Sequence, residues 1–386
     1  MKLKNHSLIK SINRAIVLNK VRTKSPISRS QIAKETGLDK KSITNFVTML
    51  LKEGLVHETG KIGASAGRPS TMLTFTEKFV SGIYVSPEFV EVIVIDLYGR
   101  IDFHNKIKYE KKNNLNAVKK AFNSAVKGIF MNHKAVDMLG IGVAFPGIID
   151  FEKSTIIEAV NMNCLEGVDY SEEFTVHGVD VFYEHSPHCS ALAHKWFGSG
   201  KNFSDFMVID ITNGIGAGII NNRRLFHGAG NYAGEIGHIT IEKNGLKCRC
   251  GNYGCLEAYA SEDIILEKIN EFVTVDSDSL EDRYLEILAN NDCKKILNDM
   301  GVQLAQALAT SVNLLSPKVI VLNGLLIEYF GDYLLEVINN EIGKYCLKKC
   351  LDDTKITTSS LQYSHVIGAA SLALSDIFEV NEYYYI

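Results

Sequence analysis

Residues 233–261 read AGEIGHITIEKNGLKCRCGNYGCLEAYAS, the densest concentration of chemically versatile side chains in the 386-residue chain. His238, Cys248, Cys250 and Cys255 supply one imidazole and three thiols. Two cysteines separated by a single residue, with a third across Gly251-Asn252-Tyr253-Gly254, can wrap a loop around one ion. Four nitrogen and sulfur ligands with no open position describe a closed, tetrahedral, structural Zn2+ site. The eight cysteines are Cys164, Cys189, Cys248, Cys250, Cys255, Cys293, Cys346 and Cys350, and three of them fall within eight positions. The opening MKLKNHSLIKSINRAIVLNK has neither an uninterrupted apolar run nor a small-residue cleavage site, so the crowding reads as metal binding and not as a disulfide framework. The expected compartment is the cytoplasm. No segment approaches about 18 consecutive apolar residues, so no membrane span is expected.

Outward from this loop the pattern is α/β. GIYVSPEFVEVIVIDLYGRIDFHNKI (82–107) reads as a meander of three strands with Gly99 at a turn. A helix over roughly 115–132 follows, then a buried strand at 139–143 ending in Phe145-Pro146-Gly147. A strand at Val179–Tyr183 leads into a helix containing Ala191, Leu192 and Ala193. FMVIDI (206–211) starts a second β-rich lobe, and VQLAQALATSVNLLSPKVIVLNG (302–324) reads as helix, strand and glycine turn. Two α/β lobes of this kind predict an actin-like ATPase fold of the sugar-kinase type, with ligand between the lobes.

The 233–261 segment, with NGIGAGII (213–220) and the Pro146-Gly147 turn, resembles the signature of the ROK family (repressor, open reading frame, kinase), and the likeness extends over nearly the whole chain. It implies that Glu235, His238 and Glu257 line a sugar pocket, and that Asn161 occupies a further sugar-contacting position. The chemistry is consistent: carboxylates accept hydrogen bonds from neighbouring hydroxyls, and a histidine bound to zinc through one nitrogen can offer the other. The resemblance also marks departures. The family's Asn-Asp pair, whose Asp takes the proton from the sugar hydroxyl, falls on His185-Ser186, and serine cannot serve as a carboxylate base. The next family Asn falls on His188. The first phosphate-binding turn falls on Tyr84-Val85-Ser86, with neither carboxylate nor glycine, and the adenosine-side glycines are thinned to Asn323-Gly324-Leu325. NGIGAGII reads as a turn between strands of the second lobe. The expected body is a sensor and not an enzyme, with Glu235, His238, Glu257, Asn161, His185 and Ser186 as effector-binding candidates.

The formal charge of −4 hides a split. Residues 1–78 hold 15 Lys+Arg against 5 Asp+Glu, and the remainder 26 against 40. A basic head on an acidic body is the footprint of a chain that meets a polyanion at one end. Apolar spacing predicts a first helix over about 7–22. Ser25-Pro26-Ile27-Ser28 breaks it, a short helix runs Arg29 to Thr36, Gly37 stops that, and Asp39 or Lys40 opens a third helix to about Glu53. This is helix-turn-helix spacing, and LVHETG with STMLTF flanks a cationic tip like a β-wing. Candidate DNA contacts are Ser28, Arg29, Ser30, Lys40, Lys41, Ser42, Thr44, Asn45 and Arg68. The head resembles that of ROK repressors, most of all the xylose-repressor branch. The expected organisation is a winged helix-turn-helix domain at 1–78, a first lobe at 79–190 completed by a C-terminal helix at 365–386, and a second lobe at 191–364. The expected partners are a double-stranded DNA operator and a carbohydrate effector, with the chain a homodimer or homotetramer that represses carbohydrate-metabolism genes. The alternatives are a sugar kinase with a DNA-binding head, and a ligand-independent DNA-binding protein.

Overall fold

A computed structural model describes residues 2–62, 70–109, 114–276 and 279–380. The head is built from helices Lys2–Lys24, Arg29–Thr36 and Lys40–Lys52, followed by strands Val56–Ile62 and Ser70–Phe75, with Ile27–Ser28 pairing on the latter. Local chemistry explains each boundary. Ser28 and Gln31 form a reciprocal capping box at the start of the short helix, and Gly37 ends it at φ 72 with its N–H on Ala33 O. The Asp39 carboxylate accepts from the Lys41 and Ser42 amides and opens the third helix. Ile43, Phe46, Val47 and Leu50 turn inward onto Val17, Leu18, Val21 and Ile32.

The body holds two five-stranded sheets. The first runs Val181–His185, Met138–Phe145, Phe79–Val85, Phe89–Asp96, Ile101–Lys108. The second runs Arg224–Leu225, Ile215–Asn221, Phe206–Ile211, Val319–Asn323, Lys355–Thr358. Both combine an antiparallel meander with parallel strands. Helices Ser186–Trp196 and Ser364–Phe378 pack on each other between the sheets, the former against Ile215–Asn221 and the latter against Phe79–Val85 and Met138–Phe145. This double layer depends on glycine. A Cβ at Gly368 would sit 1.7 Å from Cys189 O, and one at Gly142 would sit 1.8 Å from Ala369 O, so only glycine lets these backbones approach. The expected 190/191 boundary falls inside the Ser186–Trp196 helix, which is continuous through it. The C-terminal helix stops at Phe378 because Glu379 turns extended (φ −111, ψ 165), earlier than the expected 386, and residues 381–386 lie outside the described residues.

Head and body share one apolar core. Phe75 packs edge-on against Phe378 (5.6 Å between centroids), and Arg22 lies 4.6 Å over the Trp196 ring. Arg14 Nη1 donates to Ile377 O (3.1 Å) and Asn19 Nδ2 to Phe378 O (2.9 Å), so the first helix is tied to the carbonyl end of the last. Among the described residues no helix is long and apolar enough to cross a membrane.

Candidate functional site

The 233–261 segment folds as a compact loop. A single helical turn, Ile236–His238, is followed by isolated bridges Thr240–Cys255 and Lys247–Tyr253, which bring the cysteines back onto His238. The ligating atoms of His238, Cys248, Cys250 and Cys255 all lie within 4.8 Å of one another. His238 Nδ1 is 3.8 Å from Cys248 Sγ, and Cys250 Sγ is 3.8 Å from Cys255 Sγ. A tetrahedron with zinc–sulfur bonds of about 2.3 Å has edges of about 3.8 Å. The donor set therefore fits a tetrahedral ion, and Nδ1 is the nitrogen aimed at it. His238 Nε2 points the other way, 3.8 Å from Glu235 Oε2.

Between the lobes lies a cleft of about 1420 Å3, and Glu235, His238, Glu257, Asn161, His185 and Ser186 all line it. His185 Nδ1 is 4.0 Å from Glu235 Oε1. Burial, reinforced by the nearby His188, pulls His185 down to about 3, leaving a neutral ring at physiological pH. Burial pushes Glu235 above the ordinary carboxylate range, against the opposing pull of His238 and His188. Glu257 Oε2 accepts from the Ile215 amide (3.1 Å), whereas its Oε1 is buried with no hydrogen-bond partner. Asn161 Nδ2 donates to Asn213 O at 3.3 Å. Sequence reading missed Arg249, which sits between two of the cysteines. Its Nε lies 3.8 Å from Glu257 Oε1, and its Nη2 donates to Asn213 O at 2.8 Å.

The opposite end of the cleft, where the resemblance locates nucleotide, is lined by Tyr84, Asp210, Asn323, Ser364 and His365. Tyr84 stacks on His365 (4.7 Å, 16° between planes), and His365 Nε2 donates to Asp210 Oδ2 at 3.0 Å. Asp210 Oδ1 accepts from Asn323 Nδ2 (2.6 Å) and Ser190 Oγ (2.9 Å), while Asn323 also donates to Ser364 Oγ. Burial pulls His365 down, but the Asp210 charge and hydrogen bond, helped by Glu91 and Glu262, outweigh it and raise it above its ordinary value. A phosphate approaching here would meet a tyrosine ring and a buried carboxylate.

In the head, Lys40, Lys41, Thr44 and Asn45 are exposed on one side of the third helix. Several expected DNA contacts are otherwise engaged, among them the Thr44 hydroxyl, which donates to Lys40 O at 2.8 Å. Ser28 is buried, its hydroxyl used in the capping box, and the Ser42 hydroxyl donates to Asp39 Oδ2 at 2.6 Å. Ser30 is exposed, and Arg29 pairs with Glu58 at 2.8 Å. Arg68 lies outside the described residues.

A model of the ROK family matches residues 81–376. The chain is 30% identical to a protein named the xylose repressor of Caldicellulosiruptor bescii, over 98% of this chain and 99% of that one. A solved ROK family transcriptional regulator, described as a homologue of the E. coli MLC protein, superposes with a TM-score of 0.79 at 26% identity, covering 96% of this chain and 98% of that one. A ROK family glucokinase from Streptomyces griseus, solved with glucose and AMPPNP, superposes with a TM-score of 0.67 at 21% identity, covering 77% of this chain and 99% of that one. The latter likeness is one of fold: the body has the two-lobed architecture of that kinase.

Proposed function

The chain belongs to the ROK family, and from that premise we propose that it is a sugar-responsive transcriptional repressor whose kinase-like body senses and no longer phosphorylates. One observation carries this reading. The helix Ser364–Phe378 reaches the cleft at one end, through His365 and Asp210, and the head at the other, through Ile377 and Phe378. An enzyme has no need of that continuity, whereas a ligand-controlled DNA-binding protein does.

In this reading Glu235, Glu257 and Asn161 receive the hydroxyls of a carbohydrate. Glu257 Oε1, buried without a hydrogen-bond partner and 3.8 Å from Arg249 Nε, is an acceptor suited to a ligand hydroxyl. His238, Cys248, Cys250 and Cys255 would hold Zn2+, which would fix the His238 ring so that Nε2 faces the cleft. His185 and Ser186 stand where phosphoryl transfer needs a carboxylate base, and the phosphate end is lined by the Tyr84 ring and the buried Asp210 carboxylate, so this reading gives no residue a catalytic role. Lys40, Lys41, Thr44 and Asn45 would enter the major groove, supported by Arg29, Ser30 and Arg68. A symmetric oligomer, dimer or tetramer, would match a pseudo-palindromic operator.

The test is a gel-shift on genomic fragments flanking carbohydrate-metabolism genes, with and without a sugar panel that includes xylose. Sequence-specific retention altered by one sugar is expected, and no specific retention at all would refute the reading. ATP consumption with any sugar of the panel would instead favour a kinase.

A further inference from the structure

Behind the cleft wall is a second group of ligating side chains. Glu184 is the penultimate residue of the strand Val181–His185 of the first lobe, and His188 lies in the first turn of the Ser186–Trp196 helix. His227 reaches in from the second lobe, on the loop after Arg224–Leu225. Glu184 Oε1 is 3.0 Å from His188 Nδ1, Glu184 Oε2 is 2.7 Å from His227 Nε2, and Glu184 and His188 are buried. One ligand atom from each of the three lies within 4.8 Å of the others.

The polarity of His188 is the telling feature. Its Nε2 lies 2.9 Å from Ala233 O, a pure acceptor, so that nitrogen carries the hydrogen. Nδ1 then faces a carboxylate oxygen at 3.0 Å and must hold a cation on that side, either a second proton or a metal ion. A histidine whose other N–H is held by a backbone carbonyl is the usual arrangement for a metal-bound imidazole. We propose that Glu184, His188 and His227 form a second divalent-metal site, separate from the cysteine cluster, that bridges the two lobes. Two imidazoles and one carboxylate select a borderline cation such as Zn2+ over Mg2+ or Ca2+. With bonds of about 2.0–2.1 Å, ligand atoms of such an ion lie about 2.9–3.4 Å apart; the 3.0 Å between His188 Nδ1 and Glu184 Oε1 falls in that range, and the 2.7 Å between His227 Nε2 and Glu184 Oε2 would widen around an ion. Because Ala233 precedes Glu235 by two residues, an ion here would pin the loop carrying that cleft carboxylate to the first lobe.

Full-length protein stripped by a chelator and titrated with Co2+ tests this. Wild type is expected to take up two equivalents per chain. One brings the intense near-ultraviolet absorption of cobalt–thiolate bonds, and the other brings only weak visible bands. His227→Ala, at a partly exposed position, and His188→Gln, checked for folding by circular dichroism, are expected to drop to one equivalent and keep the thiolate absorption. Saturation of wild type at one equivalent, all of it thiolate-bound, would overturn the site. So would two equivalents retained in folded His227→Ala.

Discussion

Glu257 concentrates the recognition problem in one side chain. One oxygen is held by the Ile215 amide, so the carboxylate cannot swing to water, and the other is buried without a hydrogen bond, 3.8 Å from Arg249 Nε. A ligand hydroxyl donating to that oxygen relieves a desolvated charge, and such bonds contribute about 1.5–3 kcal/mol. Glu257→Gln is therefore expected to weaken effector binding about 10- to 100-fold in calorimetry while leaving effector-free operator binding intact. Equal affinity in variant and wild type would remove Glu257 from the pocket. His365 makes a second residue-scale prediction, through pH. Its folded-state value is raised above the ordinary 6.5 because the pull of Asp210 exceeds the cost of burial. A group raised in this sense contributes stability that is fully present below about pH 6.5 and is lost as pH rises through the folded value. The thermal midpoint of wild type should accordingly fall across that window relative to His365→Gln. Parallel pH profiles for the two proteins would show that the Asp210–His365 pair is energetically silent.

At the scale of elements, the third helix divides its work by face. Ile43, Phe46, Val47 and Leu50 anchor it, and Lys40, Lys41, Thr44 and Asn45 face out. Lysine neutralises phosphates without reading bases, whereas asparagine can pair with a base edge. Lys41→Ala should weaken all DNA sequences alike and lower the salt slope by about 0.9. Asn45→Ala should lose about 1–3 kcal/mol on the operator alone, measured against a scrambled duplex. Such elements were readable in the sequence because their signals are local: Ser28 and Gln31 cap a helix that Gly37 ends nine residues on, and the cysteines fall within one loop. The strands of the first lobe were readable for the same reason, as were Phe206–Ile211 and Val319–Asn323, whereas NGIGAGII, read as a turn, is mostly the strand Ile215–Asn221, and Lys355–Thr358 was not read at all. What could not be read joins residues far apart in the chain. Arg249 meets Asn213, His365 meets Asp210 across 155 residues, and Glu184 meets His227 across 43. No periodicity encodes those meetings, since the topology of two sheets creates them. The same limit explains Ser28 and Ser42, whose residue type suits a phosphate contact and a helix cap equally until the backbone decides.

At the scale of the molecule, the question is how a cleft in the body reaches a helix in the head. The Ser364–Phe378 helix spans about 22 Å at 1.5 Å per residue. Its first turn is fastened to Asp210 of the second lobe, and its flank is locked against Ser186–Trp196 at Gly368 and against Met138–Phe145 at Gly142. Its last carbonyls are held by Arg14 and Asn19, and the same Arg14 guanidinium reaches Glu53 Oε2 at 2.8 Å, at the C-terminal cap of the third helix. A close-packed helix moves as a unit, so a lobe rotation that shifts Asp210 is delivered to Glu53 through one arginine. A ligand shifts the head only by its difference in affinity for two arrangements of the body, and coupling energies of this kind are typically about 1–3 kcal/mol. Removing the far anchor should leave both binding sites whole and cut what joins them. The double variant Arg14→Ala, Asn19→Ala is expected to bind the sugar within about twofold of wild type, because nothing in the cleft has changed. Its operator affinity should respond to the sugar about 5-fold less, or more weakly still, than that of wild type. Calorimetry for the sugar and fluorescence anisotropy for the operator measure the two independently. An undiminished sugar response in the doubly substituted protein would mean that the signal travels by another route, with the direct packing of Phe75 on Tyr98 and Phe378 as the next contact to cut.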